Sequence, residues 1–122
     1  MIFVTSDSCR PQLERLTKIL VSSFPGSTIY QHTDLLRVPH DVLSHKVDAV
    51  LLGVNSERKC VLDMVRNLHR QKPDMPVFIT AQTEVFREDA EQAGANGYVV
   101  LPDGESQLLE VMRSVIRKEH IT

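Results

Sequence analysis

The chain has 122 residues, of which 42% are hydrophobic and 25% charged, with 14 basic against 16 acidic side chains and a formal net charge of −2. That is the length and composition of one folded globular domain, which excludes a disordered chain, and the near balance of charge excludes a strongly basic surface built for nucleic acid or an anionic membrane. No apolar run approaches the ~18 residues that span a bilayer, and residues 1–8 lack the basic segment of a signal peptide. Cys9 and Cys60 form no close-pairing motif and fit free thiols in a reducing, cytoplasmic compartment, the buried and inert state being the expected one.

In chain order, Ile2, Phe3 and Val4 make a short buried strand that ends in the polar cluster Thr5, Ser6, Asp7 and Ser8. A helix follows, with Ser8 as its expected N-cap and Pro11 tolerated in the first turn. Leu13, Leu16, Leu20 and Phe24 draw its apolar stripe, and Pro25-Gly26 stops it. Residues 28–30 read as a second strand, and the irregular stretch after it holds a short helix over 39–44. Residues 47–53 are apolar at nearly every position, as a central strand covered on both faces requires. A helix over 57–71 carries Val61, Met64, Val65 and Leu68 on one side, and Lys72-Pro73-Asp74 breaks it. A fourth strand is expected over 76–80, then a helix over 85–93 closed by Gly94. A fifth strand over 98–100 leads to a last helix over 105–119, with Leu108, Val111, Met112, Val115 and Ile116 facing inward.

Strands alternating with helices predict an α/β domain: a doubly wound, five-stranded parallel sheet in the order 2-1-3-4-5, with helices on both faces. Ligands of such sheets bind beyond the carboxyl ends of the strands. The residues that matter are therefore those just after strands one, three, four and five.

The stretch Ala93-Gly94-Ala95-Asn96-Gly97-Tyr98-Val99-Val100-Leu101-Pro102 resembles the AGA-x-GY-hydrophobic-hydrophobic-KP stretch of bacterial two-component receiver domains, the CheY-like family. Asp48-Ala49-Val50-Leu51-Leu52 is similar to the family's DLVLLD strand, and Pro76-Val77-Phe78-Ile79-Thr80-Ala81 to its PVIxLTA strand. The resemblance covers essentially the whole chain. It implies a flavodoxin-like fold and a signalling role in which an aspartate after strand three takes a phosphoryl group from a histidine kinase.

That chemistry needs an attacking carboxylate, acidic oxygen ligands for Mg²⁺, a lysine to offset phosphoryl charge, and a hydroxyl to answer the new phosphate. In this sequence the acceptor position is Gly53, which has no side chain, and the lysine position is Leu101. An ungapped alignment, favoured by the helical stripe that begins at Leu13, sets Thr5 and Ser6 on the acidic pair, whereas a one-residue shift would bring Asp7 onto its second member. Only Thr80 keeps its family identity, as the switch hydroxyl. Thr5, Ser6, Asp7, Gly53, Thr80 and Leu101 thus form a vestigial phosphorylation pocket. The reading is a noncatalytic pseudo-receiver, without cofactor or metal, acting by protein–protein contact. The alternatives are a small ligand at the sheet's carboxyl edge, in space vacated at Gly53, or phosphorylation at an unconventional residue.

The five histidines show no metal-ligand spacing, and the basic side of the last helix lacks the interleaved aromatics of a nucleic-acid surface. By analogy with receiver relatives, the contact face is drawn on helix four, strand five and helix five, through Arg87, Glu88, Tyr98, Val99, Arg113 and Arg117. It is expected to support weak, phosphorylation-independent homodimerisation, with affinity from an apolar strip around Val99 and the exposed edges of Val111 and Val115. Tyr98 corresponds to the family's switch aromatic. The 122 residues read as a single receiver-like domain, and the abrupt end after the last helix is what the N-terminal part of a longer regulator would show. An attached effector domain is therefore a second candidate partner.

Overall fold

A computed structural model describes residues 1–55, 58–101 and 104–121, with the side chains of the last helix described through Ile116. Five parallel strands, β1 (Ile2–Ser6), β2 (Thr28–His32), β3 (Ala49–Val54), β4 (Val77–Ala81) and β5 (Gly97–Val100), form one sheet in the order β2-β1-β3-β4-β5. The helices are α1 (Arg10–Ser23), α2 (Val38–Ser44), α3 (Arg58–Gln71), α4 (Arg87–Ala93) and α5 (Glu105–Ile121), and a 3-10 turn, Leu35–Arg37, leads into α2. The expected order of elements and strands is the observed one.

Strand alternation divides the core in two. Phe3, Ala49, Leu51, Phe78 and Val99 pack with Leu16 and Leu20 of α1 and with Leu108, Met112 and Ile116 of α5. Val4, Val50, Leu52, Ile79 and Tyr98 pack with α2, α3 and α4 on the other side. All six residues of β3 are buried, which explains its uninterrupted apolar sequence.

Several boundaries differ from those expected. β1 runs on through Thr5 and Ser6, because both pair within the sheet with Leu51 and Leu52. β3 begins at Ala49 rather than at 47 and passes Gly53 to end at Val54. Asp48, just before it, accepts a hydrogen bond from the Ile2 amide at 2.8 Å, joining the amino-terminal ends of the two strands. The N-cap of α1 is Cys9, without a side-chain cap, and not Ser8. α4 begins at Arg87, and Val85 stands 73% exposed in the turn before it. α4 ends on Gly94 at φ 105°, a left-handed position that glycine takes without strain. The helix start expected at Glu57 lies outside the described residues.

Candidate functional site

The sheet register assembles the site. Thr5 pairs with Leu51, Gly53 with Thr80, and Thr80 with Val99. Alternation then sets Thr5, Gly53, Thr80, Val99 and Leu101 on the α1/α5 side of the sheet, near its carboxyl edge. Asp7, the first residue beyond β1, continues this line and lies against Gly53. A Cβ built on Gly53 would overlap Asp7 Oδ2 and stand only 2.6 Å from Asp7 Cγ and 3.1 Å from Asp7 Cβ. The space that a side chain at position 53 would need is filled by the Asp7 carboxylate.

That carboxylate is buried and held. Its Oδ1 accepts hydrogen bonds from the Cys9 amide at 2.8 Å and from Asn55 Nδ2 at 2.6 Å. Asn55 Nδ2 also lies 3.0 Å from Ser8 Oγ, and the Asp7 amide donates to the His32 carbonyl at 3.2 Å. Bonds from neutral donors to an ionised acceptor are the stronger kind, and they satisfy a group that is costly to bury unpaired. One side chain therefore ties the β1–α1 turn to the segment after β3.

The other expected pocket residues divide. Thr80 is buried beside Gly53. Thr5 and Ser6 are buried within β1, and Thr5 Oγ1 has no hydrogen-bond partner. Neither occupies the place beside Gly53; Asp7 does, so the ungapped alignment does not describe the geometry at this edge. Leu101 is 3% exposed and belongs to the α1/α5 core, its amide donating to the Ala81 carbonyl at 2.8 Å. It is a core residue rather than the lining of a cavity. The ligand space expected at Gly53 is thus occupied by the protein itself. Among the described residues no group of three or more His, Cys, Asp or Glu side chains is placed to hold a metal ion.

Of the contact-face residues expected on α4, β5 and α5, Tyr98 and Val99 are buried, whereas Glu88 and Arg113 are exposed. Val99 is fully buried and Tyr98 is 4% exposed, so β5 offers no apolar strip there. Arg113 lies over the Phe24 ring, 5.7 Å from its centroid, which puts it beside the end of α1. Arg87 is engaged inside the domain: its guanidinium meets Glu84 through Nε at 2.5 Å and Nη2 at 3.0 Å. Glu88 is exposed, and the Arg117 side chain lies outside the described residues. Cys9 and Cys60 are both exposed, contrary to the buried state expected of them.

Tyr98 is turned inward and fastened there. Its hydroxyl donates to the Thr83 carbonyl at 2.5 Å, and Arg87 sits 4.9 Å from the ring centroid while donating to the Tyr98 carbonyl at 3.2 Å. Burial pushes the phenol above its ordinary pKa, against the opposing pull of the Phe86 amide. The hydrogen bond from Arg87 holds the Glu84 carboxyl below the usual carboxylate range and raises the guanidinium. Sequence reasoning missed both Asn55 and this Thr83–Glu84–Arg87 fastening. The signal for Asn55 was a lone amide two residues past Gly53; the other depends on a turn whose conformation no periodicity reveals.

No family model matches the chain, and no curated protein does. Solved structures do match it. The signal receiver domain of an HD domain-containing protein from Pseudomonas fluorescens Pf-5 superposes with a TM-score of 0.84 at 20% identity, over 98% of this chain and 88% of that one. The chain has the receiver-domain fold. A response regulator of Thermotoga maritima in complex with Mg²⁺ and BeF gives 0.82 at 19% identity, over 93% and 97% of the two chains. A LuxR family DNA-binding response regulator from Silicibacter pomeroyi gives 0.80 at 17% identity, over 97% and 93%. At these identities the likeness is one of fold. No helix among the described residues is long and apolar enough to cross a membrane.

Proposed function

We propose that this chain is a pseudo-receiver: a cytoplasmic, noncatalytic signalling module of two-component type that accepts no phosphoryl group and acts through contacts with a protein partner or an attached effector domain. The observation that carries this reading is Asp7 against Gly53. A phosphoryl acceptor needs a carboxylate at the strand-three position together with acidic ligands for Mg²⁺, and the one carboxylate set against Gly53 among the described residues, that of Asp7, fills the acceptor's space. With Leu101 packed into the core, no ammonium group stands at that position to offset phosphoryl charge. The inward Tyr98, bonded at its hydroxyl and covered by Arg87, supports one fixed conformation rather than a phosphate-driven alternation.

An NMR titration with beryllofluoride and Mg²⁺, the pair carried by the Thermotoga maritima structure, tests it. The expected result is no saturable shift at Asp7, Gly53 or Thr80. A saturating response there, spreading to Thr83 and Tyr98, would overturn the proposal.

A further inference from the structure

We infer that the outer face of the Leu35–Arg37 turn and α2 is a docking surface for an acidic, amphipathic segment of a partner protein. The inference rests on the protein-contact reading above and gives it a place and a partner chemistry.

Two observations meet at this surface. The first is apolar exposure. Leu36 is 79% and Leu43 64% exposed, two of the three most exposed large hydrophobic residues among the described ones. They are seven residues apart along nearly continuous helix, so they fall on one side, with exposed His40 between them. Val38, Asp41 and Val42 take the buried side, and Asp41 is held by His32 of β2. The apolar stripe is therefore no fraying accident: α2 is anchored through its other face.

The second observation is an excess of positive charge. A cleft that the turn enters through Arg37 is lined also by Arg10 and Leu13 of α1, by Gln31 and His32 of β2, and by Asp34. Arg10 and Arg37, like Arg70 and Arg113, make no ion pair among the described residues, but these two line one cleft. The one carboxylate lining the cleft, Asp34, accepts from the Leu36 amide at 3.0 Å and caps the turn.

An exposed apolar stripe edged by unpaired cations matches a helix that carries leucine-like side chains on one face and carboxylates on the flanks. The apolar residues would cover Leu36 and Leu43, and a carboxylate would enter the cleft between Arg10 and Arg37, where a planar guanidinium can bind it with two bonds.

The test uses a synthetic helical peptide with leucines at i, i+3, i+4 and i+7 and glutamates between them, titrated into the isotopically labelled chain. A lysine-for-glutamate version and inorganic phosphate serve as controls. The glutamate peptide is expected to shift the amides of Leu36, Arg37, His40 and Leu43 saturably, and to weaken as salt rises. Leu43→Asp, or Arg10→Glu with Arg37→Glu, should each weaken it by roughly tenfold or more, with thermal melts confirming that these exposed variants fold. Equal binding of the lysine peptide, or phosphate shifts that reproduce the peptide's, would overturn the docking surface. So would a response confined to Val111 and Val115 of α5, although that result would leave the protein-contact reading standing. No saturable response anywhere also overturns the surface, while the beryllofluoride titration judges the parent reading independently.

Discussion

The Asp7 carboxylate lies where the side chain of residue 53 would be, and Gly53 is the residue that leaves it room. A methyl group there would collide with Oδ2 and Cγ of Asp7, so the two positions are mutually dependent. Gly53→Ala should drive Asp7 out of its bonds with Asn55 and the Cys9 amide. The expected loss is about 1–3 kcal/mol, the cost of leaving buried polar groups unsatisfied. Urea unfolding of Gly53→Ala, Asp7→Ala and the double variant checks it. The double variant should be less destabilised than the sum of the two singles, because the small side chain at position 7 removes the collision.

Asn55 is the other half of this contact. Asn55→Ala removes the 2.6 Å bond to Asp7 and should cost about 1.5–3 kcal/mol, as bonds to charged groups do. Amide hydrogen exchange should quicken at Cys9 and after β3 while β4 stays protected. Uniform loss of protection would instead mean that the bond has no local role.

Tyr98 sets an alkaline limit. Its folded pKa is raised above that of the unfolded chain, so its contribution is fully present below the ordinary tyrosine pKa of about 10. Above that value the unfolded chain ionises first, and stability falls as pH climbs toward the folded pKa. Stability measured against pH should therefore turn down above the ordinary value. Tyr98→Phe should flatten that decline, at the cost of about 1 kcal/mol for the lost bond to Thr83.

Leu101 behaves as core. Leu101→Ala should destabilise by about 2–5 kcal/mol, the range for large-to-small changes at buried leucines. Leu101→Lys should cost at least as much, because an ammonium would enter the apolar layer formed by Val99, Leu108 and Met112. Thermal melting of the two variants gives the comparison. A lysine variant as stable as the parent would mean that the side chain swings out to the edge.

Much of the fold was legible because the α/β rhythm is written in short apolar runs and in stripes such as Val61, Met64, Val65 and Leu68, all of which are buried. The glycine at position 53 and the leucine at position 101 were also legible, since both are identities close to strand ends. What fills the space beside that glycine was not. Asp7 reaches Gly53 through the β1–β3 register and through a turn fixed by the Cys9 amide, and neither is encoded by period. The burial of Tyr98 and Val99 was missed for a related reason. Tyr98 and Val99 lie between the half-buried Gly97 and Val100, but β5 is covered on both sides, and Arg113 lies over Phe24 at the end of α1. Surface charge on a helix does not tell which neighbour it meets.

The most direct measurement is intact mass after incubation with acetyl phosphate and Mg²⁺, run beside Asp7→Ala. Both proteins should keep their unmodified mass, because neither has a carboxylate at position 53 or an ammonium at position 101. A stoichiometric gain of one phosphoryl group, labile to hydroxylamine, would contradict the pseudo-receiver reading. Its loss in Asp7→Ala would identify the aspartate beside Gly53 as the acceptor.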